Sequence, residues 1–409
     1  MSGSTFGKAF QITTWGESHG KALGVVIQGC PSGIELNEEI LQKALDKRKP
    51  GQGSAASTKR KEPDIPEILS GVFEGKTTGT PISIMIVNQD AKSRDYSKIA
   101  EIFRPGHGDI TYQAKYGIRD YRGGGRASAR ETAARVAAGA VAEAFLKQYG
   151  ISVETCTLEI GGVGIKAGNI NGGGEVINQN QTALDREFAK TNYLECPDPE
   201  ALLLMEKRIE EVKKEGDSLG GVVEITAKNV PAGLGDPVFD KLDADIAKAL
   251  MSIGAVKAVE IGAGCDAAKM TGFENNDQIL PEPSRFEFDT SSAPIIPAKR
   301  PPSSTSAAES IKRARFETNN SGGILAGISN GDDIIARVHV KPIPSILKEQ
   351  MTVDINGNPC PISTQGRHDI CAIPRINPVC KAMVYLVIAD HILRQSCYTT
   401  LKNSFCETI

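Results

Sequence analysis

The sequence predicts an α+β protein of antiparallel sheets and long helices, and two observations carry that prediction. Strand-like runs come in hairpins with helix-length segments between them, an order that disfavours a doubly wound parallel sheet. The same order also occurs twice, which points to two diverged halves. In the first, Ala9 to Trp15 and Leu23 to Gln28 read as strands, Pro31-Ser32-Gly33 as a turn and Asn37 to Lys47 as a helix. In the second, Gly221 to Ala227 reads as a strand, Pro231-Ala232-Gly233 as a turn and Lys241 to Met251 as a helix. A further echo pairs Gly71 to Gly75, leading into Pro81 to Ile86, with Gly323 to Gly327, leading into Ile334 to Val340. Both read as hairpins, the later one carrying an Asn330-Gly331 turn signal. No linker separates the halves, so residues 1–409 are expected to form one domain, with a loop or insertion at 281–315 that is rich in Pro, Ser and Ala.

Composition narrows the function. With 47 Lys and Arg against 50 Asp and Glu, the net charge is -3, and no global basic field calls for nucleic acid or an anionic membrane. The first residues have neither a basic nor an apolar leader segment, and no run of about 18 apolar residues stands out, so a cytoplasmic protein is expected. Nine scattered cysteines without a CxxC pair read as reduced thiols, not as a metal site.

The chemistry is concentrated in Gly-flanked turns. Gly16-Glu17-Ser18-His19-Gly20 satisfies the G-x-S-x-G pattern of a serine hydrolase, but a strand follows it where a nucleophile elbow needs a helix. Arg104-Pro105-Gly106-His107-Gly108-Asp109 places a second histidine in a rigid turn, and two such histidines suit acid/base work near neutral pH. Arg122-Gly123-Gly124-Gly125-Arg126 feeds a helix that Ser128 and Glu131 cap as a capping box, ahead of an alanine-rich run to Lys147. Free N–H groups and the arginines make this an anion site. Residues 47–61 add six basic side chains around Pro50-Gly51-Gln52-Gly53, and Gly366-Arg367-His368-Asp369 precedes a helix from about Val379. Together these segments ask for a small, multiply anionic ligand, acid/base histidines and a carboxylate.

In that order Gly16 to Gly20, Gly124 to Thr132 and Gly366 to Asp369 resemble the three signature segments of the chorismate synthases, and Arg104 to Asp109, Glu215 to Ser218 and Pro231 to Gly235 agree. The resemblance spans nearly the whole chain outside 281–315. It implies a β-α-β sandwich with helices between antiparallel sheets, a homotetramer, and the 1,4-elimination of phosphate from 5-enolpyruvylshikimate 3-phosphate with reduced FMN as cofactor. NADPH enters only if the protein reduces its own flavin. By the same resemblance His19, His107 and Asp369 are catalytic, and Ser18, Arg48, Arg130 and Arg367 bind substrate. Arg126, Ala127, Ser128, Gly254, Ala255, Ala326, Lys341, Pro342, Ile343, Pro344, Ser345 and Arg367 contact the flavin. Two departures stand out: Ser54 where many relatives carry a second arginine, and Pro342-Ile343-Pro344-Ser345 where they show Pro-Thr-Ser-Ser. The rival class, a flavin- or anion-binding relative without catalysis, would have lost one of His19, His107 or Asp369, and all are present.

Overall fold

Two five-stranded antiparallel sheets enclose a layer of helices. The computed structural model describes residues 3–49, 62–89, 100–165, 184–281, 314–364 and 368–398. The first sheet contains β1 (Thr5–Phe6), β2 (Gln11–Gly16), β3 (Ala22–Gln28), β4 (Pro66–Ser70) and β5 (Ile82–Val87), in the order β1-β2-β3-β5-β4. The second contains β6 (Ser152–Ile160), β7 (Val163–Gly164), β8 (Gly221–Lys228), β9 (Val256–Ile261) and β10 (Ile334–Val340), in the order β9-β10-β8-β6-β7. Helices α1 (Glu38–Arg48), α3 (Thr132–Leu146), α5 (Leu242–Met251) and α6 (Ile373–Gln395) fill the space between. Helix α2 (Asp109–Tyr116) and α4 (Pro199–Lys214) lie outside that layer.

Alternation explains the first sheet: Ile82, Ile84 and Ile86 point inward from β5, and their neighbours do not. The alanines of α3 explain the middle. A Cβ at Gly139 would lie 2.3 Å from the Ala382 Cβ, so α3 and α6 approach nearly backbone to backbone. Helix α6 has a mean hydropathy of 1.4 over its most apolar window, enough by length and composition to cross a membrane, yet 83% of that window is buried here. It starts at Ile373, not near Val379. Pro374 stands in the first turn, where its missing N–H is not needed, and burial on both faces outweighs Pro378 further in.

The two halves match. The segment β3, α1, hairpin Val72–Phe73/Lys76–Thr77, β5 corresponds to β8, α5, hairpin Ile324–Leu325/Ile328–Ser329, β10. As β3 pairs with β5, so β8 pairs with β10. The later hairpin turns at Ala326-Gly327, not at Asn330-Gly331. Ala326 and Gly327 take φ of +51° and +85°, and Glu74 and Gly75 take +48° and +73°, the left-handed pair that a two-residue hairpin turn requires. In each half one hydroxyl ties the hairpin to the Pro-x-Gly turn. Thr77 Oγ1 donates to Pro31 O (2.6 Å) and accepts from Ile34 N (3.0 Å), while Ser329 Oγ donates to Pro231 O (2.6 Å) and accepts from Leu234 N (2.8 Å).

Ile279–Pro281 pairs with Ala314–Phe316, closing the base of the expected insertion; residues 282–313 lie outside the described residues.

Candidate active site

His19 stands in the turn joining β2 to β3, so G-x-S-x-G sits in a strand-turn-strand and not in a hydrolase elbow. Asn88 Nδ2, past the end of β5, closes that turn by donating to Glu17 O (3.0 Å) and Gly20 O (2.9 Å). Ser18 Oγ lies 3.0 Å from His19 Nδ1 and fixes the ring. The imidazole rests on Gly123, where a Cβ would be 2.4 Å from Cε1, and φ is +69°. Any other residue there would displace the histidine.

Beyond the glycines, Ser128 Oγ accepts from Arg130 N (3.3 Å), and α3 proper begins at Thr132 after a 3₁₀ turn. The expected capping box is not formed. The Glu131 carboxylate accepts from Thr14 Oγ1 (3.1 Å) and Arg135 Nε (2.9 Å), which draws it toward the first sheet. Arg126 donates to Gly16 O (3.1 Å) and Thr14 Oγ1 (2.7 Å), bracing the glycine loop against β2.

A buried clamp shapes the His107 turn. Arg104 donates from Nε (2.7 Å), Nη2 (2.8 Å) and its own N–H (3.0 Å) to the Asp109 carboxylate, and Arg119 Nη1 lies 3.6 Å from the same group. His107 Nε2 is 2.9 Å from Ser345 Oγ. Lys341 donates from Nζ to Gly106 O (2.8 Å) and from its backbone N–H to Ala255 O (2.9 Å). A Cβ on Gly106 would meet Pro344 at 2.8 Å. Burial first, then the Arg104 charge, push His107 down to about 4 against the pull of Asp109. The ring is therefore neutral at physiological pH.

Charges from four elements meet on the other side. Arg48, at the end of α1, and Arg130 share Asp64: Arg48 Nη1 is 3.5 Å from one carboxylate oxygen and Arg130 Nη1 bonds the other. Glu62 adds a second carboxylate 3.4 Å from Arg130 and 3.9 Å from Arg48. Arg375, in the first turn of α6, donates from Nε to Arg48 O (3.1 Å) and from Nη1 to Asp369 (2.7 Å). Burial, then the Arg375 charge, lower Arg48 to about 10.

These contacts link up around one site. Asn88 accepts from Arg130 Nε (2.9 Å) and so joins the His19 turn to the arginines. Asp64, Arg48 and Arg375 continue it to Asp369; His368 acts on His107 electrostatically; and the glycine loop, with Arg104 near Gly124, returns to His19. His19, His107, Asp369, Ser18, Arg48, Arg130, Ala127, Ser128, Ala255 and Lys341 to Ser345 thus fall around one site, with Gly254 beside Ala255. Ala326 sits at the other end of α5 from Gly254-Ala255: its hairpin binds the first residue of that helix, Gly327 O accepting from Leu242 N, while Gly254-Ala255 follows the last. Ten residues of helix put about 15 Å between them. Arg367 and the basic loop 50–61 with Ser54, Lys59 and Arg60 lie outside the described residues. Sequence reasoning missed Asn88, Asp64 and Arg375. Only Arg375 left a signal, a lone arginine opening a buried apolar helix.

The donor set fits the ligands that the resemblance implies. Arg48 is 1% exposed, yet its Nε and Nη2 have no hydrogen-bond partner among the described residues, as an anion-binding guanidinium requires. Lys341 has no carboxylate in ion-pair range among the described residues, which suits a flavin phosphate beside the Gly106 cradle.

A family model described as chorismate synthase matches residues 10–393. The chain belongs to the chorismate synthase family. A chorismate synthase of Desulfosudis oleivorans is 58% identical over 97% of this chain and 98% of that relative, and one of Desulfatibacillum aliphaticivorans is 56% identical over 97% of each. A crystal structure of a chorismate synthase, 32% identical, matches 95% of this chain and 93% of that one with a TM-score of 0.69. The chain is an enzyme, a lyase of that family, and the serine hydrolase reading is set aside.

Proposed function

We propose that this site eliminates phosphate and a ring proton from 5-enolpyruvylshikimate 3-phosphate to give chorismate, as the gathering of His19, Arg130, Arg48, Asp369 and His107 around one site supports best. Arg48 and Arg130 draw in the anionic groups, and the unspent Arg48 donors bond them. His19, oriented by Ser18, gives a proton to an oxygen of the departing phosphate. Reduced FMN, when bound, supplies electron density to the substrate as phosphate leaves, with no net redox change. Lys341 and the backbone at Ala127 and Ser128 would hold that cofactor, and the brace formed by Arg126 keeps its loop in place. His107, kept neutral by burial and aligned by Ser345, acts as a neutral hydrogen-bonding imidazole on the flavin side of the site. The Asp369 carboxylate, held by Arg375, would assist transfer of the ring proton to the bound cofactor, the acceptor that the resemblance implies.

Incubating the purified chain anaerobically with substrate and photoreduced FMN tests this: chorismate and phosphate should appear in equal amounts. Phosphate without chorismate, or neither, would sink it. The same mixture in air, with NADPH and oxidised FMN, reports whether the protein reduces its own flavin. The resemblance also supports a cytoplasmic homotetramer. Exposed Trp15, Leu69 and Val87 on and beside the first sheet are apolar surface that such an assembly would cover, and light scattering would measure it.

A further inference from the structure

We propose that Asp64 is a positioning residue that sets the spacing of the Arg48–Arg130 anion clamp; the inference rests on the substrate assignment above. Three observations converge on it. Asp64 is 1% exposed, and burying a carboxylate is costly unless charge partners hold it. Its partners come from distant elements, Arg48 from the end of α1 and Arg130 from the turn into α3, and each binds a different oxygen of the one carboxylate. Its backbone takes φ of +49°, a left-handed corner unusual for a residue with a side chain, and Gln42 Nε2 fixes that corner by donating to Pro63 O (3.1 Å).

The division of labour inside Arg48 gives the corner a purpose. Asp64 faces Nη1, leaving Nε and Nη2 buried without a hydrogen-bond partner among the described residues, Glu62 standing 3.9 Å from Nη2. Arg130 is shared likewise, Nη1 with Asp64 and Nε with Asn88. Two buried guanidinium groups repel unless an anion lies between them, and burial beside other arginines already lowers Arg48. Asp64, the fully buried one of the two carboxylates that reach both arginines, supplies that anion permanently beside Glu62, so both arginines are in place before substrate arrives. The substrate then spends no binding energy on assembling them.

The test compares Asp64→Asn with Asp64→Glu. Asparagine tolerates the left-handed corner and removes the charge. Glutamate keeps the charge, moves it by one methylene, and already occupies such corners at Glu74 and Glu195. Substrate Kd measured by calorimetry without flavin should rise roughly ten- to hundredfold in Asp64→Asn, and by a smaller factor in Asp64→Glu. With photoreduced FMN, KM should follow Kd while kcat changes less than about threefold, the split expected for lost ground-state and transition-state binding alike. Tighter substrate binding in Asp64→Asn would make Asp64 a competitor of substrate and overturn the proposal. Unchanged Kd in both variants, or equal losses in kcat and Tm with Kd intact, would also overturn it. Should Asp64→Asn not fold, an unchanged Kd in Asp64→Glu is decisive by itself. If the wild-type chain neither binds nor converts the substrate, the functional assignment has failed, and not the positioning role.

Discussion

Thr77 and Ser329 occupy equivalent places in the two halves. Each hydroxyl bridges the same two backbone groups of a Pro-x-Gly turn, and backbone bonds flank each one: Gly33 N to Thr77 O (2.8 Å) and Gly233 N to Ser329 O (2.9 Å), Thr78 N to Gly71 O and Asn330 N to Gly323 O (both 3.0 Å). Each clamped turn leads into a helix whose C-terminal end reaches the site, with Arg48 in one half and Gly254-Ala255 in the other. The halves part company in their connections. Where β2 and β3 are joined by the short His19 turn, β6 and β8 are joined by an excursion that includes α4. His19, His107, the glycine loop and Asp369 all lie in segments outside the matched units. The repeated elements therefore aim the helices, and the unrepeated connections hold the residues proposed for the chemistry.

That division sorts the expected effects of substitution. Asp369→Asn should lower single-turnover rates with prereduced FMN by roughly two to four orders of magnitude while the protein stays folded. Near-normal turnover would return Asp369 to a purely structural partner of Arg375. Next in size is a contrast between glycines. Gly123→Ala places a methyl group 2.4 Å from the His19 ring and should cut turnover about ten- to a hundredfold. Gly75→Ala, in a clamp hairpin with open space and φ of +73°, should cost about 1–2 kcal/mol of stability and leave turnover alone. Equal kinetic effects from the two would erase the distinction between scaffold and chemistry.

The His107 turn gives a pH signature. Its folded pKa of about 4 lies below the ordinary 6.5, so the unfolded chain binds the extra proton in that interval. Stability should fall as pH drops from 6.5 toward 4, and His107→Gln should flatten that part of the profile, by on the order of 2–3 kcal/mol. Urea titrations at several pH values measure it; an unchanged slope would mean that the site holds the ring differently. The smallest effects belong to the clamps. Thr77→Val and Ser329→Ala should each cost about 1–2 kcal/mol, by similar amounts, without changing kcat. A large inequality would show that one clamp has lost its share of the fold.

Much of this was legible in the sequence, and the exceptions have physical causes. The repeat was visible because a left-handed turn leaves a glycine behind, as at Gly33, Gly75, Gly233 and Gly327. The two histidine turns were visible for the same reason. Asp64 was not: a left-handed corner occupied by aspartate has no such mark, and its partners Arg48 and Arg130 are distant in sequence. The start of α6 was hidden by Pro374, which in fact suits a first turn, and by Pro378, whose local preference is overridden by burial against the second sheet and α3. Glu131 looked like half of a capping box because spacing was correct, and only the packed structure shows that Thr14 and Arg135 take its carboxylate.

Helix α6 has a consequence for how the protein comes into being. Every strand of both sheets precedes it in the chain, yet it is the element on which the second sheet, α3 and α5 all converge. As the polypeptide leaves the ribosome, α1 and α3 can already cover the first sheet, but the second sheet must wait with much of its greasy side uncovered until residues 373–395 emerge. The nascent chain thus meets its greatest hazard of clumping just before α6 arrives, and a segment as apolar as a membrane anchor is the plug that ends the wait.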